Sequence, residues 1–299
     1  MNVSNTNLWT ALVTPMLPGG EIDFKSLEFI VQKQVEAGNG ILLIGSTGEG
    51  LALPAGDKWK VVEFVSKMNP ASPLMVGVGG FDIELQKKWI EKCNPLHIDA
   101  FLLVSPLYSK PGPVGMERWF RALLDRSEKP CMIYNIPGRT GIKVPPEVIM
   151  HLQDHSNMWS LKEASGSLEE YNAFRMAAPE LDVFSGDDAL LPEFVPSGCN
   201  GLVSVASNVW PEEVHQFTRL CLERNPDLPL DLWEMASKAL FVSSNPIPAK
   251  VLLAEKGWIR HPELRLPLTP DELTDKSILL KADSEMTLWY AKLKTEKTN

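Results

Sequence analysis

Lys162 is the residue of this sequence whose position is hardest to explain by packing alone. It ends the apolar run 158–161 and is followed by the small and polar residues 163–166. An ammonium group loses its hydration when it is buried, so a lysine at the end of a buried strand either forms a salt bridge or has a lowered pKa. A neutral amine of the second kind can attack a carbonyl carbon and form a Schiff base. The position by itself leaves both interpretations open.

Four other apolar runs also end in residues that could do chemistry. Including the run that ends in Lys162, the five segments are GSTGE (45–49), SPLY (105–108), YNIPGRTG (134–141), KE (162–163) and SGDD (185–188). If the runs are parallel strands of one barrel, their carboxyl ends lie at the same mouth, where such barrels have their active sites. A turn or a helix cap would explain each segment singly, but five together predict one shared site.

The groups in these segments fit the chemistry of a keto acid. An amine with few carboxylates around it can condense with a keto group, and the resulting iminium withdraws electrons from the neighbouring carbon. Tyr134 leaves the strand before Lys162 and could relay protons beside it. The turn 45–48 offers N–H groups and the hydroxyls of Ser46 and Thr47 to a carboxylate. Arg139 could hold a second carboxylate through two hydrogen bonds.

These side chains need a frame, and the sequence predicts an α/β fold, a (β/α)8 TIM barrel. Short apolar runs alternate eight times with amphipathic segments, as expected of parallel strands buried on both faces. The predicted strands are 10–15, 40–46, 74–79, 100–105, 131–135, 158–162, 181–185 and 201–206, and the predicted helices are 23–37, 54–68, 83–93, 115–124, 145–152, 168–177, 189–195 and 211–222. No GxGxxG motif follows the first strand, which argues against a dinucleotide-binding fold.

The last quarter of the chain is predicted to be a helical extension of the barrel. The connector 223–229 contains two prolines, and helical patterns follow at 230–242, 247–256 and 271–292. These helices are too few for an independent domain. We therefore expect a catalytic barrel over residues 1–224 and an extension packed on it over residues 225–299, with a disordered tail at 295–299.

Composition limits the partners and the compartment. The formal net charge is −9 and no stretch concentrates lysine and arginine, so neither nucleic acid nor a membrane is expected as a partner. Residues 1–7 lack the layout of a signal peptide, and no apolar run has the roughly 18 residues of a membrane span. We expect a soluble, cytoplasmic protein.

Neither the cysteines nor the histidines predict a metal site. The four cysteines (Cys93, Cys131, Cys199 and Cys221) form no CxxC pair, which favours reduced, buried thiols. His151 and His155 are four residues apart on a predicted helix, but no third ligand lies near them in the sequence. We expect no metal.

The same motifs strongly resemble the dihydrodipicolinate synthase / N-acetylneuraminate lyase family. GSTGE, YNIPGRTG, LKEASG (161–166), SGDD and NPIPAK (245–250) occur in the family's order, and the match runs from residue 11 to about 270. The resemblance implies a Schiff-base lyase that works without metal or organic cofactor, commonly as a homotetramer. Arg139 and the late segments NPIP (245–248) and LRLPL (264–268) are similar to the synthase branch, which condenses pyruvate with L-aspartate 4-semialdehyde in the first committed step toward diaminopimelate and lysine.

The resemblance also implies a role for each matching residue. Lys162 would form the Schiff base and Tyr134 would be the phenol beside it. Ser46 and Tyr108 would complete the proton relay, with Tyr108 reaching into the site of a partner subunit. Three further positions match substrate contacts of the family: Thr47 for the pyruvate carboxylate, and Gly186 and Val203, whose main chain would line the pocket. Arg139 would bind the carboxylate of the semialdehyde.

Two departures from the family pattern matter for function. Most synthases have threonine where this chain has Ser46, and the lyases share the serine, so an N-acetylneuraminate lyase or a 2-keto-3-deoxy sugar-acid aldolase or dehydratase of the same family stays the alternative. A catalytically silent scaffold would be expected to lack the lysine, the phenol or the hydroxyl turn, and all are present.

The second departure concerns regulation. At the places where lysine-inhibited relatives bind lysine, the chain has Ala55, Lys58, Phe81 and Leu107. Lys58 would repel a cationic effector, so we expect weak or absent inhibition by lysine.

Overall fold

Eight parallel strands close into one barrel. The computed structural model describes residues 3–296, and in it each strand pairs with its neighbours in chain order while β8 returns to β1. The strands are β1 (Leu8–Ala11), β2 (Gly40–Leu43), β3 (Leu74–Val78), β4 (Ala100–Val104), β5 (Cys131–Asn135), β6 (Met158–Glu163), β7 (Asp182–Ser185) and β8 (Gly201–Ser204). This confirms the predicted (β/α)8 barrel.

Helices follow the strands and cover the outside of the barrel. They are α1 (Phe24–Ala37), α2 (Ala55–Met68), α3 (Ile83–Cys93), α4 (Pro113–Leu124), α5 (Pro137–Thr140), α6 (Pro146–Leu152), α7 (Leu168–Ala177), α8 (Leu191–Phe194), α9 (Pro211–Leu222), α10 (Leu230–Ala239), α11 (Ile247–Glu255) and α12 (Ser277–Glu296). Helix α1 shows why many of the predicted ends are right. The Asp23 carboxylate accepts the N–H of Ser26 at its start, and Gly38 ends it in the left-handed conformation, as the sequence signals require.

Some predicted boundaries are wrong for identifiable reasons. Strand β1 ends at Ala11 rather than at residue 15, because the N–H of Val13 is taken by the Asn208 side chain and not by a neighbouring strand. Helix α12 starts at Ser277, six residues late, since Pro270–Glu272 forms a 3₁₀ turn. It continues to Glu296, so the predicted disordered tail is wrong for residues 295–296, and residues 297–299 lie outside the described part of the chain.

Two apolar layers are divided by the sheet, since successive side chains of a strand point to opposite faces. One layer lies between strands and helices, and a smaller one fills the barrel. The inner layer includes Trp9, Leu42, Met132, Phe184 and Val203. Tyr134 belongs to this inner layer as well, at the carboxyl end of β5. The alternation therefore directs the chemistry-bearing ends of the strands toward the barrel axis.

The C-terminal helices pack on the barrel through aromatic and polar contacts. Trp233 of α10 stacks on Phe217 of α9 at a centroid distance of 4.0 Å, and its indole N–H donates to the Asp188 carbonyl at 2.8 Å. Trp210 donates to the Asp283 carboxylate of α12 at 2.8 Å. These contacts hold the C-terminal helices against the barrel, while the division into a barrel over residues 1–224 and an extension over residues 225–299 stays a prediction.

The remaining sequence features have structural explanations. All four cysteines are buried free thiols, as predicted. His151 contacts the Glu117 carboxylate on the surface, and His155 lies beyond the end of α6 beside Asp125. Within residues 3–296, no group of three or more acidic, histidine or cysteine side chains is arranged to hold a metal ion. In the same residues, none of the helices has the length and apolarity needed to cross a membrane.

Candidate active site

Lys162 and Tyr134 lie side by side at the carboxyl ends of adjacent strands. They are register partners of β6 and β5, so both side chains point into the barrel at the same level. The Lys162 Nζ lies over the phenol ring, 4.2 Å from its centroid. One register step further, the outward-facing Asn135 amide donates to the Glu163 carboxylate at 2.6 Å. This second pair ties the two strand ends together and fixes the geometry of the first.

The environment of Lys162 decides between the two interpretations of a buried lysine. The residue is 4% exposed, and among residues 3–296 no carboxylate oxygen lies within 4.0 Å of its Nζ. Burial lowers the pKa of Lys162 to about 7, against the opposing influence of the Asp188 carboxylate. The salt-bridge interpretation is therefore wrong, and about half of the amine is neutral near pH 7.

Tyr134 has the opposite shift. Burial raises the pKa of its phenol to about 12, while the Arg139 guanidinium and the Ser46 hydroxyl act in the lowering direction. The phenol is thus protonated at neutral pH. It can donate a proton to a group beside Lys162 and recover it, which is the behaviour expected of a relay.

A cavity of about 250 Å³ opens in front of this pair. Its walls include Ser46, Tyr134 and Arg139, and toward one side Lys58 and Leu107. Lys162 is not among the residues that line the cavity, but its Nζ contacts the ring of Tyr134, which does line it. The structure therefore brings three of the predicted side chains to one cavity, and the amine lies against one of the three, Tyr134.

The turn after β2 presents hydroxyl and N–H groups at this mouth. Thr47 is buried, and its hydroxyl oxygen accepts a hydrogen bond from the Asn245 amide at 3.0 Å. The N–H groups of Thr47 and Gly48 donate to no acceptor among residues 3–296. The turn is tight: a Cβ on Gly50 would lie 1.9 Å from the Ile44 carbonyl oxygen, so only glycine fits there.

A second buried lysine anchors this turn from the C-terminal extension. Lys250 of α11 is completely buried, and its Nζ lies 2.6 Å from Oε1 of Glu49, the residue that follows the turn. The other carboxylate oxygen of Glu49 accepts the N–H of Arg265 at 2.7 Å. Burial lowers the pKa of Lys250, and the Glu49 carboxylate opposes this. The sequence did not predict this ion pair. A lysine within the apolar segment 247–255 could, however, have indicated a buried charge that needs a partner.

The loop after β7 packs directly on the amine. A Cβ added to Gly186 would lie 2.5 Å from the Lys162 Cε, so the glycine makes room for the lysine. Asp188, two residues later, is buried and accepts hydrogen bonds from the Ser204 hydroxyl and the N–H of Val205, at 2.5 and 2.9 Å. Asp188 thus caps the segment that follows β8, a role that no spacing in the sequence indicates.

Val203 and Tyr108 are placed differently from each other. Val203 of β8 is fully buried in the inner layer of the barrel. Tyr108 follows β4 in the left-handed conformation (φ 69°) and is 94% exposed, so it does not reach the cavity of its own chain. Leu51, Phe81 and Leu85 are also exposed, at 57%, 72% and 59%.

Comparisons with known proteins point in one direction. The model of the dihydrodipicolinate synthetase family matches residues 4–283. The 4-hydroxy-tetrahydrodipicolinate synthase of Francisella philomiragia is 45% identical over 288 residues, which cover 96% of this chain and 98% of that one. The solved structure of the corresponding synthase from Methylacidiphilum fumariolicum SolV has a TM-score of 0.91 at 30% identity and covers 97% of this chain and 98% of its own. The chloride-inhibited dihydrodipicolinate synthase from Acinetobacter baumannii, solved in complex with pyruvate, has a TM-score of 0.87 at 30% identity over 94% and 99% of the two chains.

Proposed function

The chain belongs to the dihydrodipicolinate synthetase family, and we propose that it condenses pyruvate with L-aspartate 4-semialdehyde to give 4-hydroxy-tetrahydrodipicolinate. It is an enzyme, a lyase of the 4-hydroxy-tetrahydrodipicolinate synthase type. The observation that carries the chemistry is the buried amine of Lys162, which has no described ion-pair partner, lies 4.2 Å from the Tyr134 ring and has a pKa of about 7.

The first step joins the enzyme to pyruvate. The neutral Nζ of Lys162 attacks the keto carbon, and the tetrahedral adduct loses its oxygen as water to leave an iminium. Both proton transfers of this step need a group that can donate and accept beside the nitrogen. The Tyr134 phenol, protonated at neutral pH, supplies the proton that turns the hydroxyl into a leaving water.

The second step forms the new carbon–carbon bond. Loss of a proton from the methyl group converts the iminium to an enamine, whose terminal carbon attacks the aldehyde carbon of the semialdehyde. The α-amino group of the bound semialdehyde then attacks the former keto carbon, closes the ring and releases Lys162 as a free amine. Pyruvate and the semialdehyde together lose one water, and no electrons leave the substrates. The balance therefore requires neither oxidant nor cofactor.

The two carboxylates of the substrates have different receptors. We assign the N–H groups of Thr47 and Gly48 and the Thr47 hydroxyl to the pyruvate carboxylate. The main chain of Gly186 and Val203 is assigned to the same substrate, although neither residue lines the cavity of the free chain. Arg139, exposed on α5 at the cavity wall, receives the carboxylate of the semialdehyde. Ser46 stands beside the Tyr134 phenol and continues the relay toward the cavity.

Tyr108 completes the relay from a neighbouring subunit. Its almost complete exposure in the single chain, beside the exposed apolar side chains of Leu51, Phe81 and Leu85, fits a face that a second copy covers. The working assembly is a homotetramer built from two such pairs, located in the cytoplasm.

A coupled assay with two alternative pyruvate acceptors tests this function. Turnover with L-aspartate 4-semialdehyde and none with N-acetylmannosamine is the expected result. Arg139→Ala should raise the KM for the semialdehyde by roughly ten- to a hundredfold, because a charge-assisted contact is lost. Arg126→Ala removes an exposed guanidinium that pairs with Glu91 and serves as the matched control. Turnover with N-acetylmannosamine instead, unaffected by Arg139→Ala, would refute the proposal.

A further inference from the structure

Asn245 links the turn after β2 to the short helix α5, although it belongs to the C-terminal extension. It lies between α10 and α11 and is 8% exposed. Its side-chain Nδ2 donates to the Thr47 hydroxyl oxygen at 3.0 Å, and its main-chain carbonyl accepts from the Arg139 guanidinium at 3.1 Å. One residue thus touches both receptors that the proposed function assigns to the two substrate carboxylates.

The direction of the bond to Thr47 has a chemical consequence. A hydroxyl has one proton to donate and two lone pairs that accept, whereas an amide nitrogen only donates. Because the Thr47 oxygen accepts from Asn245, its own proton points elsewhere, and none of the acceptors among residues 3–296 takes it. The hydroxyl is therefore held as a donor, which is the role that an anionic ligand requires.

Stability does not explain this arrangement. The Oδ1 of Asn245 is buried and has no hydrogen-bond partner among residues 3–296, and an unsatisfied buried acceptor destabilises a fold. Among residues 3–296, the side-chain amide of Asn245 makes a single hydrogen bond, the one from its Nδ2 to the Thr47 hydroxyl. A buried polar atom without a partner calls for a specific explanation, and orientation of the Thr47 hydroxyl supplies one here.

We propose that Asn245 is a positioning residue that orients the Thr47 hydroxyl as a hydrogen-bond donor to the pyruvate carboxylate. This inference rests on the proposed function. The two contacts of Asn245 use different atoms, so they can be separated by mutation. A side-chain substitution removes the bond to Thr47 but leaves the main-chain carbonyl that holds Arg139. The inference therefore predicts a defect in pyruvate binding alone.

The test measures the two substrates separately. In Asn245→Ala, the pyruvate concentration for half-maximal borohydride trapping and the KM for pyruvate should both rise roughly ten- to a hundredfold. The KM for the semialdehyde should stay within about twofold and kcat should be largely retained. Asn245→Asp keeps the shape, accepts only, and places a negative charge beside an anion. Asn245→Asp should raise the KM for pyruvate further. It can be measured in place of Asn245→Ala if the alanine variant does not fold.

A double-mutant cycle isolates the orienting role. Thr47→Val alone should raise the KM for pyruvate, and adding Asn245→Ala to it should change little further, because the group that Asn245 orients is already gone. An unchanged KM for pyruvate, equal increases for both substrates, or additive effects in the cycle would each overturn the inference. Wild-type protein that forms no borohydride adduct with pyruvate would refute the proposed function and this inference with it. If the wild type forms the adduct and the KM for pyruvate is unchanged in Asn245→Ala, only this inference is refuted.

Discussion

Among residues 3–296, two lysines are almost completely buried, in surroundings that differ sharply. Lys250 forms an ion pair with Glu49 at 2.6 Å and also donates to the Glu263 carbonyl at 2.5 Å. Lys162 lies over the Tyr134 ring and has no carboxylate within 4.0 Å among residues 3–296. Burial lowers the pKa of both amines, but an adjacent carboxylate opposes this directly only at Lys250.

The difference shows that burial by itself does not make a lysine reactive. A buried ammonium needs a partner charge and acceptors for its protons, and Lys250 has both. The pKa of Lys250 is lowered as well, but its Nζ is held by the Glu49 carboxylate and the Glu263 carbonyl. The Lys162 amine has no ion-pair partner among residues 3–296, so its neutral form is free to act as a nucleophile. The two lysines are also connected through the chain, because Glu49, which pairs with Lys250, directly follows the turn that contains Ser46 and Thr47.

Lys162→Met should show the largest effect. Turnover should fall by at least about a thousandfold, as expected when a covalent nucleophile is removed. The variant should no longer gain mass on borohydride reduction with pyruvate. Its free energy of unfolding should be unchanged or higher, because an unpaired buried amine is replaced by an apolar side chain of similar length. A markedly less stable variant would mean that Lys162 has a structural partner after all.

Lys250→Met should show the reverse pattern. It leaves the Glu49 carboxylate buried without its counter-charge, and we expect a loss of about 3–5 kcal/mol in the free energy of unfolding, measured by urea titration. Adding Glu49→Gln should recover part of that loss. Borohydride with pyruvate should still label the folded fraction of the variant at Lys162. Equal stability of Lys250→Met and wild type would show that the ion pair contributes nothing.

Local patterns predicted the barrel and the proximity of Lys162 and Tyr134 well. Strand β5 has the bounds 131–135 that its apolar run predicts, and helices α3, α7 and α9 end where their capping and turn residues indicate. Lys162 and Tyr134 were placed together because parallel strands bring their carboxyl ends to one edge. That argument needs only the order of strands and the alternation of side chains.

Contacts between distant parts of the chain could not be predicted in this way. Asn245 and Thr47 are 198 residues apart, and Lys250 and Glu49 are 201 residues apart. Neither pair follows from periodicity, since the path of the chain between α10 and α11 is set by packing on the barrel. Tyr108 is a different case, because its predicted role needs a second chain. Its position in the site stays a prediction.

Gly186→Ala tests whether Lys162 needs the space that the glycine leaves for its side chain. The new Cβ would lie 2.5 Å from the Lys162 Cε, so the lysine must move away from the Tyr134 ring. A displacement of this size should lower kcat/KM by about a hundredfold. Gly56→Ala is the matched control, because its Cβ would have no neighbour within 4 Å, and it should retain full activity. Full activity in both variants would show that the lysine tolerates displacement.

The pH dependence of the reaction reports on the unpaired amine. Because the pKa of Lys162 is lowered to about 7, the neutral form is present above that pH and is lost as the pH falls. The rate of borohydride trapping with pyruvate should therefore decrease about tenfold per pH unit below about pH 7. Asp187→Asn removes a carboxylate that raises this pKa, so the decrease should begin at a lower pH. A decrease that begins above pH 9 would contradict the lowered pKa.

A third lysine, Lys58, can be compared with the two buried ones, and its substitution is expected to have the smallest effect. Lys58 lines the same cavity as Tyr134, and its side chain forms no ion pair among residues 3–296, yet it is only half-buried. Burial lowers its pKa, but the amine keeps contact with water and has no phenol described beside it. We expect borohydride with pyruvate to leave Lys58 unlabelled.

The charge of Lys58 should instead act on ligands of the cavity. Free lysine at low millimolar concentration should not inhibit turnover, because its ammonium groups would meet Lys58 and because Leu107, on the same wall, has no hydroxyl to offer. Lys58→Ala removes the repulsion and should increase the sensitivity to lysine, measured as the concentration for half inhibition. Exposed Lys60, which pairs with Asp57 on the same helix, provides the control substitution Lys60→Ala. Inhibition of the wild type at low millimolar lysine would show that an unpaired cation at this wall does not exclude a cationic ligand.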